Sequence, residues 1–527
     1  MPDYYPILPG APLAPGGAEE VGNKAWNLMR LAQAGLPVPP AFVLPTSWRG
    51  RVAPDDEAAL RLALTEGVAR LEAASGLSFG GRRPLLVSVR SGAAVSMPGM
   101  METVLDVGLN AETVEGLIRL TGNPRLAWDS YRRLVQGYAE VVANLPTAPF
   151  DALVAEAMER AGAETERELD HRSLRDLTLA MLERYGSLTG SAFPPDPKEQ
   201  LMSAAAAVFR SWDAPKAQSY RRLNGISDAG GTAVTVQTMV FGNAGGASGS
   251  GVGFTRNPAT GAREFYYDFQ FNGQGEDVVA GRQKLRDNER LRLRLPAVWT
   301  RLNDICGELE SLFGDVQDFE FTLQSGILFL LQTRRAKRTD WAALTIAADM
   351  VAEGLIKPAE ALRRIEGVDL DAVARTSFAP PLPPSLAEAL AAGMGVANGA
   401  IALDSEAVKR LSGEGSPAIL VRRDTATTDI EGMALATGIL TASGGRTSHA
   451  AVVARQLGKV CLVGCPGLEI DMERRQCRIG GTLLNEGDFL SLDGNSGAVY
   501  PGRLAPLTER PERALAAIAD WRRAAAA

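Results

Sequence analysis

The sequence predicts a multidomain protein of mixed α/β and α+β class. At 527 residues the chain is too long for a single hydrophobic core, because single cores stop growing at roughly 250–300 residues. Strand patterns before residue 110 give way to a long helical stretch and then return with TAVTVQTMVFG (232–242). The proline-rich stretch APPLPPS (379–385) separates these segments from a compact β/α pattern near the C-terminus.

The first 200 residues combine strands, glycine-rich loops and helices. The stretch GNKAWNLMRLAQAGLPVPPAFVL (22–44) indicates a loop, an amphipathic helix that ends near Gly35, and a short strand. The stretch PLLVSVRSG (84–92) indicates a buried strand that leads into the glycine-rich loop SGAAVSMPGMM (91–101). From about 111 to 200 the pattern is helical, with charged faces, so we expect a helical insertion there.

The most distinct strand pattern lies in VQDFEFTLQSGILFLLQTR (316–334). Apolar and polar residues alternate on both sides of Gln324-Ser325-Gly326, which predicts a β-hairpin. Glycine-rich segments such as GNAGGASGSGVGF (242–254) precede it, and a turn is the ordinary interpretation of such a segment when it stands alone. We therefore expect the first domain to end near residue 340.

The rest of the chain divides into three parts. Residues 341–385 form a predicted helical linker with the proline-rich hinge at its end. Residues 386–505 alternate strand and helix patterns and form a predicted β/α domain. Residues 506–527 are predicted to be a C-terminal helix.

Composition and charge exclude several classes of protein. The net charge of −7 provides no broad basic field for nucleic acid. No apolar run reaches the roughly 18 residues of a membrane span, and MPDYYPILPG lacks the features of a signal peptide. Four cysteines are too few for a disulfide framework, so we expect a reduced, cytoplasmic protein. Cys461 and Cys465 lie in an apolar strand, where core cysteines are more common than a metal site.

One of the only two histidines in the chain lies in the string GGRTSHAAVVAR (444–455). His449 is placed at the first turn of a predicted helix, where free N–H groups and the helix dipole favour an anionic group. Gly444 allows close backbone approach, and Thr447 can donate a hydrogen bond. Because imidazole is a competent nucleophile, His449 is a candidate phosphoryl carrier. The alternative is a histidine that merely caps a helix.

The string resembles the phosphohistidine motif of the pyruvate, phosphate dikinase family, whose members make or use phosphoenolpyruvate. Other stretches resemble the same family in the same order, over about residues 18 to 503: GNKAWNL, LLVSVRSGAAVSMPGMMETVLDVGLN, NPRLAWDSYRR, DPKEQL, VFRSWD, VQTMVFGN, GVGFTRNPATG, GQGEDVVAG, QDFEFTLQ, LQTR and DIEGMA. The resemblance implies an ATP-grasp nucleotide-binding domain at 1–340. It implies a swivelling phosphohistidine domain at 386–505.

The resemblance also implies a set of site residues. Those that match the positions the family uses to bind the nucleotide are Lys24, Arg90, Glu276, Gln332 and Arg334. Asp318 and Glu320 match the metal positions, and since they are two apart on one strand they share a face, which suits Mg²⁺. His449 and Arg90 match the catalytic positions.

The implied reaction is phosphorylation of His449 by the β-phosphoryl group of ATP, with AMP as a product. The stretch SMPGMMETVLDVGLN (96–110) resembles phosphate-using members of the family, which favours inorganic phosphate as co-acceptor and pyrophosphate as product. Water is the alternative co-acceptor. The phosphoryl group on His449 then passes to an acceptor that the sequence does not identify.

Two departures from the family bear on that acceptor. The family continues into a C-terminal barrel that binds pyruvate or phosphoenolpyruvate, and these 527 residues contain no counterpart of it. We therefore expect the acceptor to be a small molecule or to be bound by a separate barrel protein, as in a split dikinase. Arg446 stands where the family usually has methionine. A non-catalytic nucleotide-sensing protein is the third alternative, and the oligomeric state stays open.

Overall fold

The computed structural model describes residues 3–50, 57–95, 97, 100–228, 230–275, 286–425, 429–444 and 449–526. These residues form a mixed α/β and α+β protein, which confirms the predicted fold class. None of the helices in the described ranges combines the length and the apolar character that crossing a bilayer requires.

The elements before residue 110 form one sheet and the helices that cover it. In chain order they are β1 (Tyr5–Ile7), α1 (Gly17–Gln33), β2 (Ala41–Leu44), α2 (Glu57–Ser75), β3 (Ser78–Phe79), β4 (Pro84–Leu85), β5 (Val87–Gly92) and β6 (Thr103–Val107). The loop predicted at the start of GNKAWNL is wrong, because α1 already begins at Gly17 and passes through Gly22 with a kink. Glutamates 19 and 20 stabilise that first turn by their charge.

A layer of helices follows, and it extends beyond the 111–200 range of the predicted helical insertion to Leu223. These helices are α3 (Ala111–Thr121), α4 (Pro124–Val141), α5 (Ala148–Ala161), α6 (His171–Thr189), α7 (Pro197–Arg210) and α8 (Pro215–Leu223). Side-chain oxygens of Asn110, Asn123, Asp170 and Asp196 accept hydrogen bonds from first-turn amides and thereby start four of them. The apolar faces of α3 to α7 pack in one core with β5 and with the strand that follows the layer.

The remaining elements of the first domain are β7 (Ala233–Thr238), β8 (Gly249–Phe254), β9 (Tyr266–Phe271), α9 (Arg286–Arg294), α10 (Pro296–Phe313), β10 (Gln317–Gln324) and β11 (Ile327–Arg335). One antiparallel sheet has the order β1-β2-β7-β5-β6, and a second has the order β11-β10-β8-β9. The predicted hairpin is confirmed, since β10 pairs with β11 around Ser325. Helix α1 contacts both sheets and so fixes one against the other.

The linker contains α11 (Asp340–Ala352), α12 (Pro358–Arg364) and β12 (Arg375–Phe378). Beyond it lie β13 (Ala387–Glu388), β14 (Leu390–Gly393), β15 (Val396–Ala402), α13 (Ser405–Gly413), β16 (Ala418–Arg422), α14 (Ile430–Leu435), β17 (Gly438–Thr441), α15 (His449–Gln456), β18 (Val460–Val463), β19 (Glu469–Asp471), β20 (Gln476–Ile479), β21 (Thr482–Asn485), β22 (Phe489–Asp493) and β23 (Ala498–Pro501). An eight-stranded sheet of order β13-β23-β22-β15-β16-β17-β18-β14 organises this domain. Its centre, from β15 to β18, is parallel.

The last elements, β24 (Pro506–Glu509) and α16 (Glu512–Ala526), return to the linker. Strand β24 pairs with β12. The predicted C-terminal helix is present at Glu512–Ala526, whereas residues 506–509 of the same predicted segment form a strand. Leu344 of α11 and Ile518 of α16 share a small core. A two-stranded ribbon therefore joins the linker to the eight-stranded sheet, and its partner strands are about 130 residues apart in the chain.

The cysteines of the described chain are buried and form no disulfide bonds with one another. Cys461 and Cys465 pack in the apolar cores on the two sides of the eight-stranded sheet, which confirms the interpretation as core cysteines.

Candidate functional site

Lys24 lies beside the first sheet because a glycine of α1 is in close contact with a glycine at the end of β5. Gly22 has φ 76° and ψ 151°, a backbone region that is essentially restricted to glycine. A Cβ atom on it would lie 2.2 Å from the carbonyl oxygen of Gly92, at the end of β5. The amide of Asn23 donates a hydrogen bond of 2.9 Å to the carbonyl oxygen of Ala93. Lys24 is therefore held directly beside the loop that follows β5.

Burial is the largest of the effects that lower the pKa of Lys24, from its ordinary 10.5 to about 7. The positive charge of Arg90 lowers the pKa further and that of Arg334 adds to this, while the negative charge of Glu320 opposes both. Three cationic side chains thus converge, and among the described carboxylates it is Glu320 whose charge partly offsets their effect on the pKa of Lys24. Such a field favours a ligand with several negative charges.

Arg90 lies near the end of β5, and its guanidinium is incompletely paired. Its Nη2 atom lies 4.0 Å from Oε2 of Glu320. Its Nε atom is buried and has no hydrogen-bond partner within the part of the chain that the structure describes. A buried donor without a partner costs about 1–3 kcal/mol. This position consequently fits a ligand that brings its own acceptor oxygens.

The β10–β11 hairpin presents four polar side chains on one face. Asp318 lies opposite Arg334, and Glu320 lies opposite Gln332. Residues two apart in a strand share a face, as do directly opposed residues of an antiparallel pair. The Nε atom of Arg334 donates to Oδ2 of Asp318 over 2.8 Å. The hairpin face therefore places two carboxylates, an amide and a guanidinium side by side.

The two carboxylates fit a magnesium ion. Burial raises the pKa of Asp318, the adjacent Arg334 opposes that rise, and the like charge of Glu320 adds to it. Carboxylate and amide oxygens are hard ligands, and Mg²⁺ takes one or two carboxylates together with waters and phosphate oxygens. Across the described ranges, groups of three or more histidine, cysteine or acidic side chains that could hold a metal are absent. A site of two carboxylates agrees with Mg²⁺ and not with an all-protein metal cage.

Two neighbouring cavities share Thr103 of β6 as a lining residue. The first has a volume of about 250 Å³, and its polar lining includes Asn23, Lys24, Ser91, Gln332 and Arg334. The second has a volume of about 310 Å³ and extends from charged to apolar residues, namely Arg90, Glu320, Leu105, Met239, Val240 and Leu331. The combined space suits an elongated molecule with an anionic end and a flat, apolar end.

The apolar end contains residues that sequence reasoning did not select. Gln237, Met239 and Val240 line the second cavity, and Gln274 closes it by donating from Nε2 to the carbonyl oxygen of Val240 over 3.3 Å. The stretch VQTMVFGN contains three of these residues, but its apolar members are indistinguishable from core residues in a single sequence. Only the resemblance of the stretch to the family signalled a site.

Of the predicted site residues, the structure brings six together: Lys24, Arg90, Asp318, Glu320, Gln332 and Arg334. Glu276 lies outside the described residues, as do Arg446 and Thr447. Among the residues that the structure describes, those lining the two cavities all precede residue 335.

His449 belongs to the other domain. It is the first residue of α15 and follows the carboxyl end of β17 by a short connection; its side chain lies outside the described part of the structure. Ala450, Ala451 and Ala454 are buried and pack α15 onto the sheet. The helix is thus fixed to the sheet, and its first residue lies at the edge where parallel strands end.

Comparison with known proteins accounts for both domains. Residues 56–299 match the family model described as pyruvate phosphate dikinase, AMP/ATP-binding domain. Residues 414–497 match the model described as PEP-utilising enzyme, mobile domain. The chain is 43% identical over 493 residues to a pyruvate, phosphate dikinase of Clostridium symbiosum, an alignment that covers 92% of this chain and 56% of that protein.

Two further relatives are similar to this chain over a comparable part of their own length. Pyruvate, phosphate dikinase 1, chloroplastic, of Zea mays is 42% identical over an alignment of 495 positions, which covers 92% of this chain and 52% of that protein. A pyruvate, phosphate dikinase of Rhizobium meliloti (strain 1021) is 40% identical over an alignment of 535 positions, which covers 97% of this chain and 59% of that protein. The chain thus spans about half the length of these curated relatives, and through its AMP/ATP-binding and mobile domains it belongs to the pyruvate, phosphate dikinase family.

Proposed function

We propose that the protein binds magnesium ATP in the two cavities and transfers a phosphoryl group to its own His449. The observation that carries this proposal is the convergence of Lys24, Arg90 and Arg334 with two carboxylates at the polar end of the combined cavity. Its apolar end is of the kind that accepts a purine ring. The chain also contains a histidine at the start of a helix in the mobile domain.

The polar residues act by positioning and by charge. Lys24 and Arg90 hold phosphate oxygens, and the fork of Arg334 holds both Asp318 and a phosphate oxygen. Asp318 and Glu320 would hold Mg²⁺, which neutralises negative charge on the phosphates when it is bound. Phosphoryl transfer is catalysed mainly by such positioning and electrostatic stabilisation.

The transfer to His449 takes place in two steps. An imidazole nitrogen attacks the β-phosphorus of ATP, and the bond between that phosphorus and the oxygen retained by AMP breaks. The terminal phosphoryl group then passes to inorganic phosphate and forms pyrophosphate, which leaves one phosphoryl group on His449. The relatives are named for pyruvate and phosphate, and we propose phosphate as the co-acceptor on this basis.

Transfer requires the mobile domain to move, because His449 must meet ATP and later a different acceptor. The β12–β24 ribbon connects the linker to this domain. The amide of Ala379 donates to the carbonyl oxygen of Ala505, and that of Leu386 donates to the carbonyl oxygen of Val499. The first residue of the proline-rich stretch and the residue that follows it are thus hydrogen-bonded to residues that follow β22. We propose that the ribbon and this stretch turn together as one pivot.

Incubation with magnesium ATP and inorganic phosphate is expected to add one acid-labile phosphoryl group to each chain. Mass spectrometry of peptides kept at alkaline pH should locate this group on His449. ATP labelled in the β position should transfer its label, whereas ATP labelled only in the terminal position should not. Tight ATP binding without any incorporation would contradict the proposal and favour a nucleotide-sensing protein.

Phosphate is expected to control the products. With phosphate present, AMP and pyrophosphate should form in equal amounts, because the terminal phosphoryl group has an acceptor. Without phosphate, AMP release should stop after less than one turnover. Equal AMP release in phosphate-free buffer, with free phosphate as co-product, would identify water as the co-acceptor. Chromatography of the nucleotides together with an enzymatic pyrophosphate assay measures both.

Binding of ATP is expected to draw a proton onto Lys24. Anionic oxygens favour the ammonium form and raise its pKa above the value of about 7 that it has without ligand. At about pH 8, calorimetry in buffers of different ionisation enthalpy should therefore show uptake of up to about one proton. The affinity for ATP should decline as the pH rises above 7. Uptake should vanish in Lys24→Arg, whose guanidinium stays charged; unchanged uptake there would place the proton on another group.

The final acceptor is part of the same proposal. We propose either a small molecule that the 527 residues bind themselves or a substrate held by a separate barrel protein. The phosphorylated protein, freed from ATP, is to be mixed with pyruvate in the presence and absence of such a barrel protein. Loss of the phosphoryl group with formation of phosphoenolpyruvate in one of the two mixtures identifies the arrangement.

A further inference from the structure

The loop that follows β5 packs on aromatic and apolar residues outside the cavities. Its described residues are 93–95, 97 and 100–102. Ala93 and Met97 form a buried cluster with Trp212, and the cluster is extended by Met100, Met101, Tyr220 and Ile226. We call Trp212, Tyr220 and Ile226 the indole platform. This cluster is separate from the two large cores of the domain.

The loop also lines the cavity that contains Lys24. Val95, Met97 and Met101 are among its lining residues. Met97 and Met101 therefore contact the cavity on one side and the platform on the other. A displacement of the platform would be transmitted to the cavity through these two side chains, because close-packed interiors transmit strain.

Cationic side chains fix the platform in place. The guanidinium of Arg221 lies 4.2 Å from the centre of the Trp212 ring, and its Nη1 atom donates to the carbonyl oxygen of Trp212 over 2.7 Å. Arg221 is 1% exposed, so this contact is desolvated and correspondingly strong. A second guanidinium, that of Arg49, lies 5.8 Å from the ring centre and donates to Asp213.

Polar contacts join the C-terminal end of the loop to the segment 211–226, which contains the indole platform. Nζ of Lys216, in α8, lies 2.5 Å from Oε1 of Glu102. The amide of Glu102 donates to Oγ of Ser211 over 3.4 Å. The loop is thus attached to residues 211–226 by an apolar contact at its centre and by polar contacts at its end.

We propose that Trp212 is a positioning residue for phosphoryl transfer, since its ring holds the loop against the phosphates of ATP. This inference rests on the proposed function and adds to it the element that orders the phosphate end of the site. The indole nitrogen of Trp212 is buried and has no hydrogen-bond acceptor among the described residues. The ring contacts, and not a hydrogen bond from the indole, therefore account for its role.

The test separates positioning from general destabilisation. Trp212→Leu keeps a smaller apolar side chain and removes the ring, and Trp212→Phe restores an aromatic ring. Single-turnover phosphorylation of His449 at saturating ATP should slow about 100-fold in Trp212→Leu, since a displacement of about 1 Å can have that effect. Trp212→Phe should recover most of the rate. The affinity for AMP should change less than about twofold, because the adenine end does not contact the platform.

A matched control removes apolar volume elsewhere in the same domain. Leu177→Ala, in the buried face of α6, should lower the melting temperature and leave the phosphorylation rate unchanged. A rate equal to that of the wild type in Trp212→Leu would overturn the inference. Parallel losses of rate and AMP affinity would also overturn it, because they would indicate a general structural role.

Hydrogen exchange tests the inference without relying on ATP chemistry. The amides of Ala94 and Val95 should exchange faster in Trp212→Leu than in the wild type, while amides of the β10–β11 hairpin should keep their rates. Unchanged exchange in the loop would overturn the inference. Failure of the wild type to become phosphorylated, with faster loop exchange in the variant, would instead contradict the proposed function alone.

Discussion

Replacing His449 with asparagine is expected to abolish self-phosphorylation. Asparagine keeps a polar side chain of similar length, but its amide nitrogen is not nucleophilic and cannot form a stable phosphoryl bond. Label from the β position of ATP should therefore fall to background, and AMP formation should stop. If the variant still incorporates that label, His449 is not the acceptor.

The same variant should keep its nucleotide affinity. The residues that line the two cavities belong to the first domain, whereas His449 starts α15 in the other. Equilibrium binding of ATP should thus match that of the wild type within about twofold, as expected for sites without shared partners. His171, which is exposed at the start of α6, provides the matched control. His171→Asn should be phosphorylated at the normal rate.

The second large effect is expected from Glu320→Gln. Removing this carboxylate takes one of the two charged oxygen ligands from the proposed Mg²⁺ position and leaves Asp318 with Gln332. It also removes the negative charge that raises the pKa of Lys24, so that less of this lysine is charged at neutral pH. We expect phosphorylation to slow at least about 100-fold, a typical effect of losing one electrostatic contact to a reacting group.

The Mg²⁺ dependence distinguishes the metal role from a change in charge alone. The magnesium concentration for half-maximal phosphorylation should rise about tenfold or more in Glu320→Gln. Glu469→Gln removes an equal charge from the exposed strand β19 and should change neither quantity. If Glu320→Gln keeps the magnesium dependence of the wild type, these carboxylates are an ordinary strand face. Circular dichroism should show the same fold in both variants.

The sequence by itself predicted those features that are encoded within a few residues. Alternation on both sides of Ser325 specified the β10–β11 hairpin, and with it the shared face of Asp318 and Glu320 opposite Gln332 and Arg334. Side-chain periodicity and turn chemistry are local properties, so one sequence suffices to recognise them. The family resemblance selected the candidate site residues, and their proposed roles remain predictions.

Tertiary structure decided which distant segments meet. Lys24 comes beside Arg90 because Gly22 lets α1 approach Gly92 to a distance that no other residue permits. The pairing of β12 with β24 and the packing of the loop on Trp212 likewise join segments more than 100 residues apart. Such contacts depend on which apolar surfaces bury each other across the whole chain, and a pattern within any one segment does not contain that information. For this physical reason the sequence indicated the candidate residues, and only the fold showed that six of them lie together.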